Sequence, residues 1–456
     1  MPVEPRALTS EKLTKEAKEW RLTMSLETPI KIREFQRKLY AKAKQEPSYR
    51  FYLLYDKIHR EDILAHAYQL AKANGGAPGV DGQSFWGIEA KGLESWLAGL
   101  RQELIENRYQ PQAVRRVMIP KPNGGERPLG IPTIRDRVVQ TAAKLVLEPI
   151  FEADLEPNAY GYRPKRGAQG AVKKVHELLR DGYTDVVDAD LSKYFDTIPH
   201  AELMQCVARR IVDRQVLHLI KMWLTVAVAE RDEKGNWRYT GSQGKGTPQG
   251  GGISPLLANL YMNRFLKYWR LQGKGEEWRA HIVAYADDFV ILSRGHAEEA
   301  REWTQGVMSR IGLTLNEQKT SIRDARSEEF DFLGYTFGRR YSVKNAKPYM
   351  AARPSQKSIQ RATGKVYDLL KPREKGSWQE VRDRLNAQLR GWQQYFSYGT
   401  IARAYQIVNN YVERRVRNFL RQRCRHSTAG TRRYPSQAIF GTLGVVRLRR
   451  ATACAS

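Results

Sequence analysis

Cysteine is scarce: the 456 residues hold three, Cys206, Cys424 and Cys454, far apart and with no C-x-x-C pair. That excludes a disulfide framework and a zinc ribbon. Long hydrophobic runs are missing too. No apolar stretch approaches the roughly 18 residues that span a bilayer, and the N-terminus lacks a signal-peptide core, so a cytoplasmic protein with no membrane partner is expected. The spacings G-x-x-x-x-G-K-S/T and G-x-G-x-x-G are absent, which excludes a Walker loop and a dinucleotide fingerprint. Acid is short in one region. From Gly338 to Ser456, 5 acidic residues face 26 basic ones.

What the chain does hold is positive charge, 77 Lys and Arg against 49 Asp and Glu, a formal +28. A balance this basic suits a partner made of phosphates. It is also lopsided, since residues 338–456 carry +21 and the first 337 only +7. The C-terminal quarter is therefore the expected nucleic-acid grip. The length allows two to three domains, each with its own core.

The organising stretch is His281-Ile-Val-Ala-Tyr-Ala-Asp-Asp-Phe-Val-Ile-Leu292. Two apolar runs around adjacent acids read as strand, tight turn, strand. Alone, that is a hairpin tip. A second short strand, Thr184–Leu191, also ends on an acid, Asp190. Asp190, Asp287 and Asp288 together would repel one another unless cations sat between them, and such oxygen clusters suit Mg²⁺. Two such ions about 3.5–4 Å apart are the usual device for in-line phosphoryl displacement. The nearby acids Asp188 and Asp196 are assigned structural roles.

In chain order, residues 1–45 read as loosely packed helices, followed by a turn-rich loop at Asn74–Gly82. A helix is expected over 92–108. Two extended runs then meet at Pro122-Asn-Gly-Gly125, with Lys121 and Arg127 on either side of the tip. Those two are either solvated turn charges or cations reaching for a triphosphate. A helix is expected over 135–151. The aromatic-basic loop Tyr160–Gly167, with Tyr162 and Arg163, suits stacking and phosphate contact. Helices are expected over 199–230. Glycines crowd Gly244–Gly252, where backbone can approach a ligand closely, and Ser254-Pro255 reads as a cap and first turn. After a helix at 297–311 and a strand at 330–337, the basic tail shows helical patterns at 354–370, 377–397 and 400–424. Trp392 is expected in their core. The last thirty residues read as a basic arm or a disordered end.

These blocks resemble, in order over roughly residues 50–420, a reverse transcriptase of the group II intron-encoded (maturase) type. Tyr285-Ala286-Asp287-Asp288 is similar to the Y-x-D-D signature, and Asp190 with Phe195 to the first catalytic motif. Thr247-Pro-Gln249-Gly250 leading to Ser254-Pro255 is similar to the P-Q-G block, and Lys121 and Arg127 to the fingers motif. Leu333-Gly334 resembles the block before the thumb, and Gly391-Trp392 with Tyr395 the maturase domain. The Cys-rich His-Asn-His endonuclease has no counterpart in these cysteines, which implies an endonuclease-less lineage.

The resemblance implies an α+β right-hand fold, fingers and palm on an antiparallel sheet, followed by a helical thumb. The implied divisions are an N-terminal extension at 1–85, fingers and palm at 86–340, a thumb or maturase domain at 341–425, and a basic segment at 426–456. It further implies that Asp190, Asp287, Asp288 and the Leu191 carbonyl hold two Mg²⁺. Lys121, Arg127, Leu191, Phe195, Gln249, Tyr285 and Ala286 would form the deoxynucleoside triphosphate site, with Phe195 excluding a 2′-hydroxyl. Lys319 would give a proton to pyrophosphate. Tyr162, Arg163, Leu333, Gly334, Lys357, Arg361, Arg414 and Arg415 would touch nucleic acid. RNA template and DNA primer or target are the implied partners, with splicing assistance beside DNA synthesis. A splicing factor with a vestigial polymerase and a domesticated polymerase in phage defence or repair are the alternatives.

Overall fold

The computed structural model describes residues 27–120, 125–232, 234–248, 250–371, 374, 376–423 and 433–450. The first helix, Ile30–Gln45, is not loosely packed. Its Ile32 and Gln36 are fully buried, and the Gln36 amide donates to the Leu145 carbonyl at 2.8 Å. That carbonyl lies in the helix Ile134–Glu152, which starts as expected and is apolar nearly all round because other helices surround it. The loop after the helix Glu61–Asn74 is fastened to the same helix. Arg137 donates to the carbonyls of Gly75 and Ala77. Gly79 lies so near Thr133 that a Cβ there would stand 2.7 Å from its Cα.

The fingers strands come next. β1 (Val114–Pro120) and β2 (Glu126–Ile131) form the expected antiparallel hairpin. β3 (Asp185–Asp190) then enters the palm. Helices were expected throughout 199–230, but the chain leaves helix at Thr225. It makes β4 (Val228–Arg231) and β5 (Trp237–Thr240), which complete a sheet of order β2-β1-β4-β5. Four-residue strands carry too little alternation to be read from sequence.

The helix Ser254–Leu271 leads to β6 (Ala280–Tyr285) and β7 (Asp288–Ser293), and β8 (Ser321–Asp324) follows a helix at Ala297–Arg310. These build the palm sheet, order β6-β7-β3-β8, antiparallel throughout. The run expected as one strand at 330–337 breaks at Leu333 and Gly334, both with positive φ (49° and 77°). It becomes β9 (Phe330–Phe332) and β10 (Tyr335–Tyr341), joined in a third sheet by β11 (Pro348–Pro354). The thumb helices Gln356–Leu369, Trp378–Tyr395 and Ala402–Arg423 lie close to where their periodicity put them.

The palm sheet is a wall between two cores, because strand side chains alternate between faces. Val187, Ala189, Ile282, Ala284, Phe289 and Ile291 join the core of residues 32–315. Val186, Val283, Val290 and Leu292 join a second core with the helix Ala168–Arg180, β9–β11 and the thumb. Trp392 is 8% exposed and packed against Phe396 and Tyr405, as expected. Residues 433–450 are neither arm nor loose end. Ile439, Val445 and Leu448 are buried in the second core, and the side chains of Asn386 and Asn409 bond the backbone of Gly444, Val446 and Leu448.

Candidate active site

Sheet register brings the acids together. In the β3–β7 ladder Asp190 lies directly opposite Asp288, and Tyr285 is the β6 partner of Asp288. Directly opposed residues have Cβ atoms about 4.5–5.5 Å apart, so two carboxylates share one spot on the sheet. Between β6 and β7 only Ala286 and Asp287 remain to make the turn, and Ala286 takes φ 57°. A left-handed alanine costs on the order of 1–2 kcal/mol; the paired strands on either side impose it. Asp188, two residues before Asp190 and thus on the same face, stands opposite Ser321 and Val290.

The electrostatics follow from that crowding. Asp288 is pushed up to about 7, first by burial and then by the charges of Asp287, Asp190 and Asp188. Burial, reinforced by Asp190, also raises Asp287. Asp188 rises to about 6, again by burial first, with Asp190 and Asp331 opposed by Arg323. One cation already answers the excess: Lys319 Nζ sits 3.1 Å from Asp190 Oδ2. It is held there because the Asn316 amide donates to the Asp190 carbonyl and the Lys319 amide to the Asn316 carbonyl. Among the described residues no group of three or more His, Cys, Asp or Glu is arranged to hold a metal ion as it stands. The donor set still fits hard cations: it is all oxygen, mutually repelling, and attracts an ammonium group. Leu191, also expected at the metal, is 5% exposed and bridged to Leu315.

Several neighbours hold the hairpin in place. The Tyr160 amide donates to the Ala284 carbonyl at 2.8 Å and the Ala284 amide to Asn158 at 3.0 Å, extending the sheet past β6. The next residue, Gly161, is pressed onto the turn; a Cβ there would lie 2.5 Å from the Ala286 nitrogen. Asn259 in the helix below holds the Gly161 carbonyl at 2.6 Å. Sequence reading passed over both Gly161 and Asn259. The glycine-rich loop is pinned between palm and fingers. The Thr247 amide donates to the Phe195 carbonyl at 2.7 Å, and Gly250 (φ 113°) would place a Cβ 2.1 Å from the Gly130 oxygen. Ser254 does not cap its helix; its hydroxyl donates to the Pro248 carbonyl at 2.9 Å and so closes the loop. Phe195 is 9% exposed at the edge of the main core. Arg127 lies in β2, and its charge favours the ionised forms of both Asp287 and Tyr162. Lys121 and Gln249 lie outside the described residues.

The aromatic-basic loop divides. Tyr162 (φ 52°) is half exposed with its ring 6.2 Å from that of Tyr285. Arg163, expected on nucleic acid, is buried instead. Its guanidinium grips Glu152 at 2.7 Å and donates to the carbonyls of Glu156 and Ala159. Arg415 is likewise engaged: it donates to the Leu370 carbonyl at 3.0 Å and lies over the Tyr367 ring. Arg414 and Arg361 are exposed, and Lys357 is exposed within 3.8 Å of Asp331. Leu333 and Gly334 form the turn joining β9 to β10. The Gly334 carbonyl receives the Ser355 amide and the Ser358 hydroxyl, and the Leu333 carbonyl receives the Tyr395 hydroxyl at 3.0 Å. Tyr395 is pushed up to about 12, by burial first and then by the charges of Tyr285 and Asp288.

A carboxylate pair on paired palm strands, with a third acid at the hairpin tip and fingers above, defines a template-dependent nucleic-acid polymerase. The family described as "Reverse transcriptase (RNA-dependent DNA polymerase)" matches residues 119–337, which include all three acids. "Group II intron, maturase-specific domain" matches 359–435, the thumb. Protein YkfC of Escherichia coli (strain K12) is 37% identical over 364 residues, covering 72% of this chain and 93% of that one. Group II intron-encoded protein LtrA of Lactococcus lactis subsp. cremoris is 29% identical over 350 residues, covering 62% of this chain and 56% of that protein. The chain thus spans about half the length of that relative. A Candida albicans telomerase structure aligns with TM-score 0.42 and 12% identity over 72% of this chain and 62% of that one. The chain belongs to the group II intron-encoded reverse transcriptase and maturase family. RNA and nucleic acid are the partners that these two domains imply, and divalent metal is the family's usual cofactor. No helix among the described residues is long and apolar enough to cross a membrane.

Proposed function

We propose that the chain copies RNA into DNA from deoxynucleoside triphosphates at the Asp190–Asp287–Asp288 cluster, and that the RNA it serves is a group II intron whose splicing and mobility it assists. The observation carrying this reading is the opposition of Asp190 and Asp288 in one ladder, with Asp287 at the adjoining tip. The three carboxylates and the Leu191 carbonyl would hold Mg²⁺. Magnesium bound there supplies charge neutralisation for the triphosphate and a lowered pKa for the primer hydroxyl.

The chain's own side chains do the rest. Arg127, whose charge already reaches Asp287, neutralises the incoming phosphates, with Lys121 beyond the hairpin tip as a second point charge. Lys319 leaves Asp190 as the acids fill and carries its proton to the departing pyrophosphate. Phe195, rigid in the core edge, blocks the space of a 2′-hydroxyl, and Gln249 contacts the nucleotide. Tyr285 and Ala286 shape its floor, and Tyr162 stacks at the rim. Leu333 and Gly334 guide the primer end. Lys357, Arg361 and Arg414 follow the strand's backbone. The division we adopt is fingers and palm (86–340) and thumb (341–425), with helices of the 1–85 segment inside the first core and the second core shared between palm and thumb.

The test is extension of a DNA primer on an RNA template with Mg²⁺. Asp287→Asn removes a carboxylate from a hairpin tip and should abolish extension while RNA binding stays near wild type. Undiminished extension in that variant would refute the assignment.

A further inference from the structure

The thumb carries an open pocket of about 650 Å³, lined by both apolar and polar residues, which shares no lining residue with the catalytic acids or the fingers. One wall is the start of the helix Ala402–Arg423, from Ile401 and Ala402 through Gln406 and Asn410. The other is the chain's return segment, with Arg447, Leu448, Arg449 and Arg450. No acid lines it. The return segment lies beyond the residues matched by the maturase-specific domain, which end at 435.

The backbone of the segment is anchored. Leu448 is 3% exposed in the second core, and Asn409 holds both its amide (2.9 Å) and its carbonyl (3.0 Å). Gln393 holds the Arg449 carbonyl at 3.0 Å. With Leu448 pointing inward, Arg447 and Arg449 on either side of it both emerge exposed. Arg447 is steadied over the Phe440 ring at 5.5 Å. Across from them Gln406 and Asn410 are exposed one helical turn apart, hence on one face. Forked cations recognise phosphate oxygens. Amides that both donate and accept match a 2′-hydroxyl and a base edge.

We infer that this pocket seats a backbone phosphate of folded RNA with its adjoining ribonucleoside, so that the return segment gives the thumb an RNA contact separate from the primer–template path. The inference rests on the reading of the chain as an RNA-handling reverse transcriptase. Charge complementarity chooses the occupant: three arginines and no acid line the pocket, which repels a basic partner and draws an anionic one.

The experiment titrates the full-length protein with a fluorescent RNA stem–loop bearing an internal bulge, over a range of salt. The triple change Arg447→Gln, Arg449→Gln, Arg450→Gln leaves Leu448 and both asparagine anchors, so folding is checked simply by an unchanged melting temperature. Its slope of log affinity against log salt should fall by about 1, at roughly 0.7–0.9 per lost phosphate contact. Gln406→Trp fills the pocket without changing charge and should weaken RNA binding as well. A control of equal charge, Arg339→Gln with Lys344→Gln and Lys347→Gln on the exposed β10–β11 hairpin, should leave the RNA affinity and the slope closer to wild type. An equal loss in the control, or full RNA affinity in Gln406→Trp, overturns the inference. An equal loss on a DNA stem–loop of the same sequence overturns the assignment to RNA. Primer extension by the wild-type protein is measured apart from this, so failure of the polymerase reading and failure of the pocket give different results.

Discussion

Gly161→Ala tests the catalytic geometry without touching a catalytic group. The added Cβ would stand 2.5 Å from the Ala286 nitrogen and 3.0 Å from the Tyr285 carbonyl carbon, both backbone. Ordinary contact begins near 3.4 Å, so about 0.9 Å must be found. Neither side yields easily. The loop is tied to β6 through Asn158 and Tyr160 and to the helix below through Asn259. The turn is the two-residue link between fully paired strands. Overpacking of this kind costs about 1–3 kcal/mol of stability. If the turn moves, Asp287 moves with it, and a displacement near 1 Å at reacting groups costs about 100-fold in rate, or ~2.7 kcal/mol of barrier. The expected outcome is a kcat for primer extension lowered by about two orders of magnitude with RNA affinity retained. Gly167→Ala, six residues on in the same loop and with open space at its Cβ, should lose little. Extension by Gly161→Ala within threefold of wild type would show that the loop, not the hairpin, gives way, and that the approach positions nothing.

Three further outcomes are expected. Asp288 is raised to about 7, so the folded chain binds that proton more tightly than the unfolded chain does, and stability falls as pH rises from about 4 to 7. Asp288→Asn should therefore melt higher than wild type at pH 8 in chelator, with the gain shrinking toward pH 4, and should lose the wild type's stabilisation by added Mg²⁺; equal melting at pH 8 would sink the argument. Phe195→Val should raise the use of ribonucleotides relative to deoxynucleotides, read from paired extension assays; an unchanged ratio would leave Phe195 as core packing alone. Lys357→Gln and Arg361→Gln should each lower the salt slope of RNA binding by about 1, and a slope identical to wild type would remove that residue from the interface.

Local chemistry marked the acids well, because strand, turn and strand around Asp287 and Asp288 are encoded within twelve consecutive residues. The grouping of Asp190 with Asp287 and Asp288 came from two short strands that each carry an acid at one end, while the register that sets Asp190 opposite Asp288 is a long-range pairing no local pattern encodes. What escaped was decided by distant partners. Arg163 reads as an open cation beside two tyrosines, yet Glu152, eleven residues earlier, draws it inside. Arg415 looked free on its helix until Tyr367 and Leu370 came beside it from another. Gly161 carried no signal at all, since its role is set by the turn it presses on. Ser254 has the right neighbours for a cap, but the folded loop offers it the Pro248 carbonyl instead.

The two-faced palm sheet also sets an order of assembly. The buried residues of the first core end at Leu315, with Ile322 packed against them, so it can close while the chain is still being made. The second cannot. Its helix Ala168–Arg180 and the outer faces of β3, β6 and β7 are finished early, yet their covering residues, from Phe330 to Leu448, arrive last. During synthesis the nascent protein must therefore present Val172, Val175, Val186, Val283, Val290 and Leu292 to solvent, beside its newly formed acids. That apolar strip disappears only as β9–β11 and the thumb helices pack over it.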